Sequence, residues 1–162
     1  MTPEARQQKI ESYANAHSQL VDALQEFPRE MWQFRDEHGC WSIHEHIIHV
    51  TDSEANSYIR ARRLIAEPGR TLMDYDENQW AVALDYHDQD IDDTLNLFKW
   101  LRGKTLTLIK SLPESAWANT AYHPENGDTT LDDWLDIYEA HVREHLEYMQ
   151  QNLEAWQAQR ST

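Results

Sequence analysis

Apolar side chains recur at helical spacing in four long stretches of this chain. Ile10, Tyr13, Ala14, His17, Leu20, Val21, Leu24 and Phe27 mark the first. Thr2, Pro3 and Glu4 supply its cap, its first-turn proline and an acid for the helix dipole, and Pro28 ends it. Residues 28–40 read as a connection. Ser42 and Glu45 have capping-box spacing, which predicts a second helix from Ile43 to Ala66, stopped by Pro68-Gly69. Residues 67–90 are mixed, with a short helix expected near Glu77–Leu84. A third long helix follows Asp90, carries Ile91, Leu95, Phe98, Leu101, Thr105, Leu108 and Ile109, and stops before Pro113. Tyr122-His-Pro-Glu-Asn-Gly-Asp128 reads as a loop. Capping-box spacing at Thr129-Thr130-Leu-Asp132-Asp133 then opens a last helix, running to about Gln157. The expected fold is all-α, one domain, a four-helix bundle of helices roughly 30–40 Å long. Its connections are too long for a minimal up-down bundle, which predicts crossovers.

Two of these helices carry candidate chemistry. On the last, Trp134, Tyr138, His141, His145 and Tyr148 share a stripe beside Leu135, Val142, Leu146, Met149, Leu153 and Trp156. His141 and His145 are one turn apart on one face. On the second helix, Ile43, Ile47, Val50, Tyr58 and Ile65 fall on one side, and Glu45, His49, Asp52, Asn56 and Arg60 on nearly the opposite side. That polar side is either a solvated face, which the periodicity slightly prefers, or the lining of a wet cavity inside the bundle. If the two helices pack side by side, His49, His141 and His145 bring three neutral nitrogen ligands to one divalent ion. Three protein ligands with an open position suit a catalytic site. The bland alternative is histidines satisfied by hydrogen bonds in the core, or exposed. Metal affinity at such a site is expected to fall as pH drops through the ordinary histidine range near about 6.5.

Composition narrows the setting. The 162 residues carry 14 Lys+Arg against 29 Asp+Glu, a net charge of −15. Phosphate backbones and anionic lipid are repelled, so neither nucleic acid nor a membrane is an expected partner. No apolar run approaches the roughly 20 residues that span a bilayer. One cysteine, Cys40, excludes an intrachain disulfide, and the N-terminus lacks a signal-peptide core. The expected compartment is the cytoplasm.

The order of motifs adds a family. Trp41-Ser42-x-x-Glu45-x-x-x-His49-x-x-Asp52-x-Glu54, followed by His141-x-x-x-His145, resembles the DinB-like superfamily. Asn56-Ser-Tyr58-Ile-Arg60, Tyr75-Asp-Glu77-Asn-Gln-Trp80, His123-Pro124-Glu125-x-Gly127 and Tyr138-x-x-His141 are similar to the branch containing the bacillithiol S-transferases, members of which were once labelled metal-dependent hydrolases. The likeness runs from about Met31 to Asn152. It implies a crossed four-helix bundle and one divalent metal, nickel or zinc first and manganese or iron next, held by His49, His141 and His145. Ile48, Ala140 and Glu144 stand where that branch often has His, Trp and His.

The expected activity is transfer of a small thiol to an electrophilic small molecule, the metal holding the thiolate. The alternatives are a metal-dependent hydrolase that activates water and a non-catalytic binding bundle. A homodimer is carried as one expected assembly. Asp52 would orient a ligand or act as a base, or is a surface acid. Arg60 would hold a substrate carboxylate, or forms ion pairs on an exposed helix. His123 is placed near the site by the resemblance alone. Glu45 is read as a cap. Trp41, Trp80, Trp134 and Tyr138 are read as core, with a ring-lined pocket mouth as the other reading. His17, His38, His44, His46 and His87 carry no argument, and Cys40 is not expected to be a nucleophile.

Overall fold

The structure, a computed structural model, describes residues 1–35 and 40–161. His38, Gly39 and part of the 28–40 connection lie outside the described residues. Five α-helices form where capping and periodicity place them: α1 (Pro3–Glu26), α2 (Ile43–Ala66), the short α3 (Glu77–Ala83), α4 (Ile91–Ile109) and α5 (Leu131–Arg160). Thr2 caps α1 by accepting the Ala5 N–H at 3.2 Å. At the head of α2 the Glu45 N–H donates to Ser42 Oγ at 3.3 Å, and the Ser42 N–H donates to Glu45 Oε2 at 2.9 Å. Thr130 and Asp133 repeat this reciprocal pair at the head of α5. Each box satisfies two N–H groups that a helix start otherwise leaves unpaired.

α2 packs on α4 and α5, and α1 packs on the same two helices from the other side. The cyclic order is therefore α1, α4, α2, α5. The chain-consecutive pairs α1/α2 and α4/α5 sit on the diagonals, so both of their connections cross the bundle, as the long linkers predict. Among the described residues no helix is long and apolar enough to cross a membrane.

One segment differs from expectation. Residues 120–130 are not a plain loop: β1 (Thr120–His123) and β2 (Gly127–Thr130) form an antiparallel hairpin, with His123 opposite Gly127 and Thr120 opposite Thr130. Gly127 takes φ +74°, a left-handed conformation that glycine adopts without steric cost. Residues 69–72 bond to the hairpin's edge, with Leu72 N–H to Tyr122 O at 2.8 Å and Gly69 N–H to Thr120 O at 2.8 Å. The strands are too short for a period-two pattern to stand out, and tertiary pairing decides their conformation.

The core is apolar at both ends and polar in the middle. Met31, Ile43, Ile47, Ile48, Phe98 and Met149 fill one part; Ile10, Leu64, Ile109, Leu131 and Trp134 fill the other. A buried polar layer takes a group from each long helix. Tyr13 of α1 donates its hydroxyl to Glu54 of α2 at 2.8 Å. Arg102 of α4 pairs with Glu54 at 2.8 Å and donates to the Tyr138 carbonyl of α5 at 3.2 Å. α4 thus buries Thr94, Phe98, Arg102 and Thr105, a line shifted from the expected one, with Leu95, Leu101 and Leu108 only partly covered.

Candidate metal centre

α2 and α5 pack side by side and bring His49, His141 and His145 together. His49 is fully buried and His145 is 8% exposed. The polar side of α2 is therefore turned into the protein and largely covered, not a solvated face. The periodicity misleads there because it counts every polar residue as solvent-facing, whereas Glu45, His49, Glu54 and Asn56 are all buried. His141 Nε2 lies 3.4 Å from His49 Nε2 and 3.1 Å from His145 Nε2. Among the described residues this is the one set of three potential ligands whose donor atoms all lie within 4.8 Å of one another.

The set fits a divalent cation. A tetrahedral ion with metal–nitrogen bonds of about 2.0–2.1 Å needs ligand nitrogens about 3.3–3.4 Å apart. Without an ion a single His141 Nε2–H would have to be shared between the two facing lone pairs, whereas one ion takes a lone pair from all three rings. Burial pushes the imidazoles far below their ordinary range, with the neighbouring imidazoles adding to it: to about 2 at His49 and about 3 at His141 and His145. All three are neutral at pH 7, the form that ligates. The expected loss of metal near pH 6.5 is corrected accordingly: in the folded chain, protons compete only in stronger acid.

The same burial fixes the pH dependence of the metal-free fold. Unfolded, these histidines take protons near about pH 6.5, and folded they do not. The unfolded state binds more protons between those limits, so stability falls as pH drops through the unfolded value. The melting temperature of chelator-treated protein is expected to fall between pH 7 and 5, with calorimetry detecting proton uptake on unfolding. A flat profile would contradict neutral burial of the cluster.

His141 and His145 line an open cavity of about 580 Å³ together with Trp41, His46, Glu77, Asn78, Glu144 and Tyr148 among others, while His49 is fully buried beside them. The Trp41 ring packs 4.6 Å from that of His49, and its carbonyl accepts from Asn152 at 2.6 Å. Trp41 is thus half core and half pocket wall, whereas Trp134 and Tyr138 are core.

The other candidate residues are held elsewhere. Asp52 is half-buried and accepts the Tyr86 hydroxyl at 2.6 Å; burial raises its pKa, and that hydrogen bond opposes the rise. It is not in the three-histidine set. Among the described residues Arg60 has no ion-pair partner. Its guanidinium donates to Met73 O at 3.1 Å and to the Tyr138 hydroxyl at 2.8 Å, and the Tyr138 ring lies 6.3 Å from that of His141. His123 is buried on β1. Its Nδ1 accepts the Glu125 N–H at 3.2 Å, and its Nε2 has no partner among the described residues. Burial and then Arg60 lower its pKa. None of Asp52, Arg60 and His123 lines the cavity. Sequence reasoning gave no weight to His46, which is buried with its Nδ1 2.8 Å from His145 Nδ1. Its place three residues before His49, one turn along the same helix face, was the available signal.

Fold and site together define a crossed four-helix bundle with a three-histidine centre between its second and last long helices. The chain belongs to the DinB superfamily, whose profile matches residues 12–149. It is 32% identical over 111 residues to OB0782 of Oceanobacillus iheyensis, covering 68% of this chain and 64% of that protein. It is 29% identical over 117 residues to YfiT of Bacillus subtilis, covering 72% and 65%. The match thus spans just under two thirds of the length of these two relatives. A Bacillus mycoides relative is 29% identical over 142 residues, covering 88% and 80%. All three are provisionally named metal-dependent hydrolases. The solved structure of YfiT, described as having an unusual four-helix bundle topology, superposes with a TM-score of 0.87 at 24% identity over 94% of this chain and 87% of that one.

Proposed function

We propose that this protein is a metal-dependent hydrolase, with His49, His141 and His145 as the ligands of one divalent ion. The observation that carries the reading is the convergence of three neutral imidazoles, two of which, His141 and His145, line an open pocket. The relatives' names support hydrolysis ahead of thiol transfer. When bound, such an ion lowers the pKa of a coordinated water toward about 7 and polarises a carbonyl. The chain's part is to hold three rings in ligating form, to wall the site with Trp41 and Tyr148, and to leave one side open to substrate. Thiol transfer to an electrophile is the second reading. The cavity favours it to this extent: about 580 Å³ is room for two small reactants above one centre. Nickel or zinc is the ion proposed, and the cytoplasm the compartment.

Elemental analysis of tag-free protein, followed by parallel assays of ester and amide hydrolysis and of thiol conjugation, tests the reading. Metal-dependent hydrolysis supports it. Conjugation without hydrolysis moves the assignment to the second reading, and stoichiometric absence of metal removes both.

Charge at the pocket narrows the substrate. Glu77 and Glu144 line it, and among the described residues no lysine or arginine does. Cationic and neutral substrates are expected to outperform a matched anionic one by about tenfold or more in kcat/KM at low salt, the gap narrowing as salt rises. Glu144→Gln should reduce the preference. A faster anionic substrate would show that these carboxylates do not face the bound molecule.

A further inference from the structure

We propose that His46 is a positioning residue that fixes the tautomer of His145 through an imidazole–imidazole hydrogen bond. The inference rests on the metal-site reading above. His46 Nδ1 and His145 Nδ1 are 2.8 Å apart, so one must donate and the other accept. His145 turns its Nε2 toward His141 Nε2, 3.1 Å away. To ligate, that Nε2 must carry a lone pair, which in a neutral ring puts the proton on Nδ1. His145 is therefore the donor and His46 Nδ1 the acceptor. A proton on His46 Nδ1 would set two N–H groups against each other at this distance. The geometry thus requires His46 to be the Nε2–H tautomer.

The ring of His46 is held for this task. The Tyr148 ring stacks on it at 5.9 Å and 23°, and the Trp41 ring meets its edge at 5.8 Å. His46 bonds the nitrogen of His145 that faces away from the cluster, so it acts through His145 and is not a fourth ligand. Metal-bound histidines more often donate to a carboxylate or a carbonyl. A neutral imidazole in that place adds no negative charge, so the ion keeps more of its electrophilic character. Its Nε2–H, with no protein partner among the described residues, belongs to a ring that lines the cavity.

The test compares zinc affinity, by competition with a chromophoric chelator, in the wild type, His46→Leu and His46→Asn. Leucine removes the acceptor; the asparagine side-chain oxygen stands close to where Nδ1 was. His46→Leu is expected to weaken zinc binding about 10–100-fold, and His46→Asn to recover most of that loss. Nitrogen-15 NMR of the zinc-loaded wild type should show His46 protonated on Nε2 and His145 on Nδ1, and this readout stands if His46→Leu does not fold. Unchanged affinity in His46→Leu, equal loss in both variants, or a proton on His46 Nδ1 would overturn the proposal. A wild type that binds no zinc, nickel or cobalt at all would instead sink the metal site.

Discussion

Replacing His145 with alanine is expected to abolish retention of a divalent ion and to reduce hydrolysis to background, with the helical fold intact. The substitution leaves two ligands on two helices, and it strips His46 of its hydrogen-bond partner. His49 and His141 are 92 residues apart in sequence, so an ion between them ties α2 to α5. Binding to the folded state alone adds RT ln(1 + [L]/Kd), about 2.7 kcal/mol when free metal is about 100 times Kd and about 4.1 kcal/mol at about 1,000 times. Chelation should therefore lower the melting temperature of the wild type at neutral pH and leave that of His145→Ala unchanged. Metal analysis and a thermal scan, with and without chelator, check both halves. A His145→Ala protein that still binds one ion per chain would remove His145 from the ligand set.

Much of this site was legible because its signals are local. The His141–His145 spacing is a property of one helix, and the Ser42/Glu45 and Thr130/Asp133 boxes fix where α2 and α5 begin. The crossed topology was legible from linker length alone. What was hidden depends on contacts between distant segments. His49 reads as solvated by periodicity and becomes buried because Trp41 and the histidines of α5 close over it. His46 acquires a role only from a partner 99 residues away. The hairpin at 120–130 needs the 69–72 segment at its edge. Arg102 interrupts an apolar stripe and looks like a surface residue until Glu54 and Tyr13 are placed around it.

That layer gives the second large effect. Arg102→Met is expected to destabilise the fold by about 3–5 kcal/mol, because it leaves the Glu54 carboxylate buried without its cation. Arg102 is 3% exposed and Glu54 1%. Burial already outweighs the Arg102 and Tyr13 contacts and raises the pKa of Glu54; removing the guanidinium raises it further. A carboxyl whose folded pKa exceeds its unfolded value holds more protons when folded, so its contribution to stability is lost as pH rises through the folded pKa. The deficit of Arg102→Met relative to wild type should therefore be largest at neutral pH and shrink toward pH 5. The comparison at each pH cancels most of the histidine contribution, since Arg102 is only the last of the causes that lower His141 and burial, the first, is kept. Adding Glu54→Gln to Arg102→Met removes the buried charge itself and should restore part of the loss, as expected for two groups in one network. Urea unfolding followed by tryptophan fluorescence measures all three proteins. An Arg102→Met variant within about 1 kcal/mol of wild type at pH 7 would show that the pair adds little, since that is the range of exposed ion pairs. Because Arg102 also holds the Tyr138 carbonyl, one turn before His141 on α5, the double variant carries a further expectation. It should recover stability more fully than metal affinity, since nothing in it replaces the contact that seats α5 beside α2.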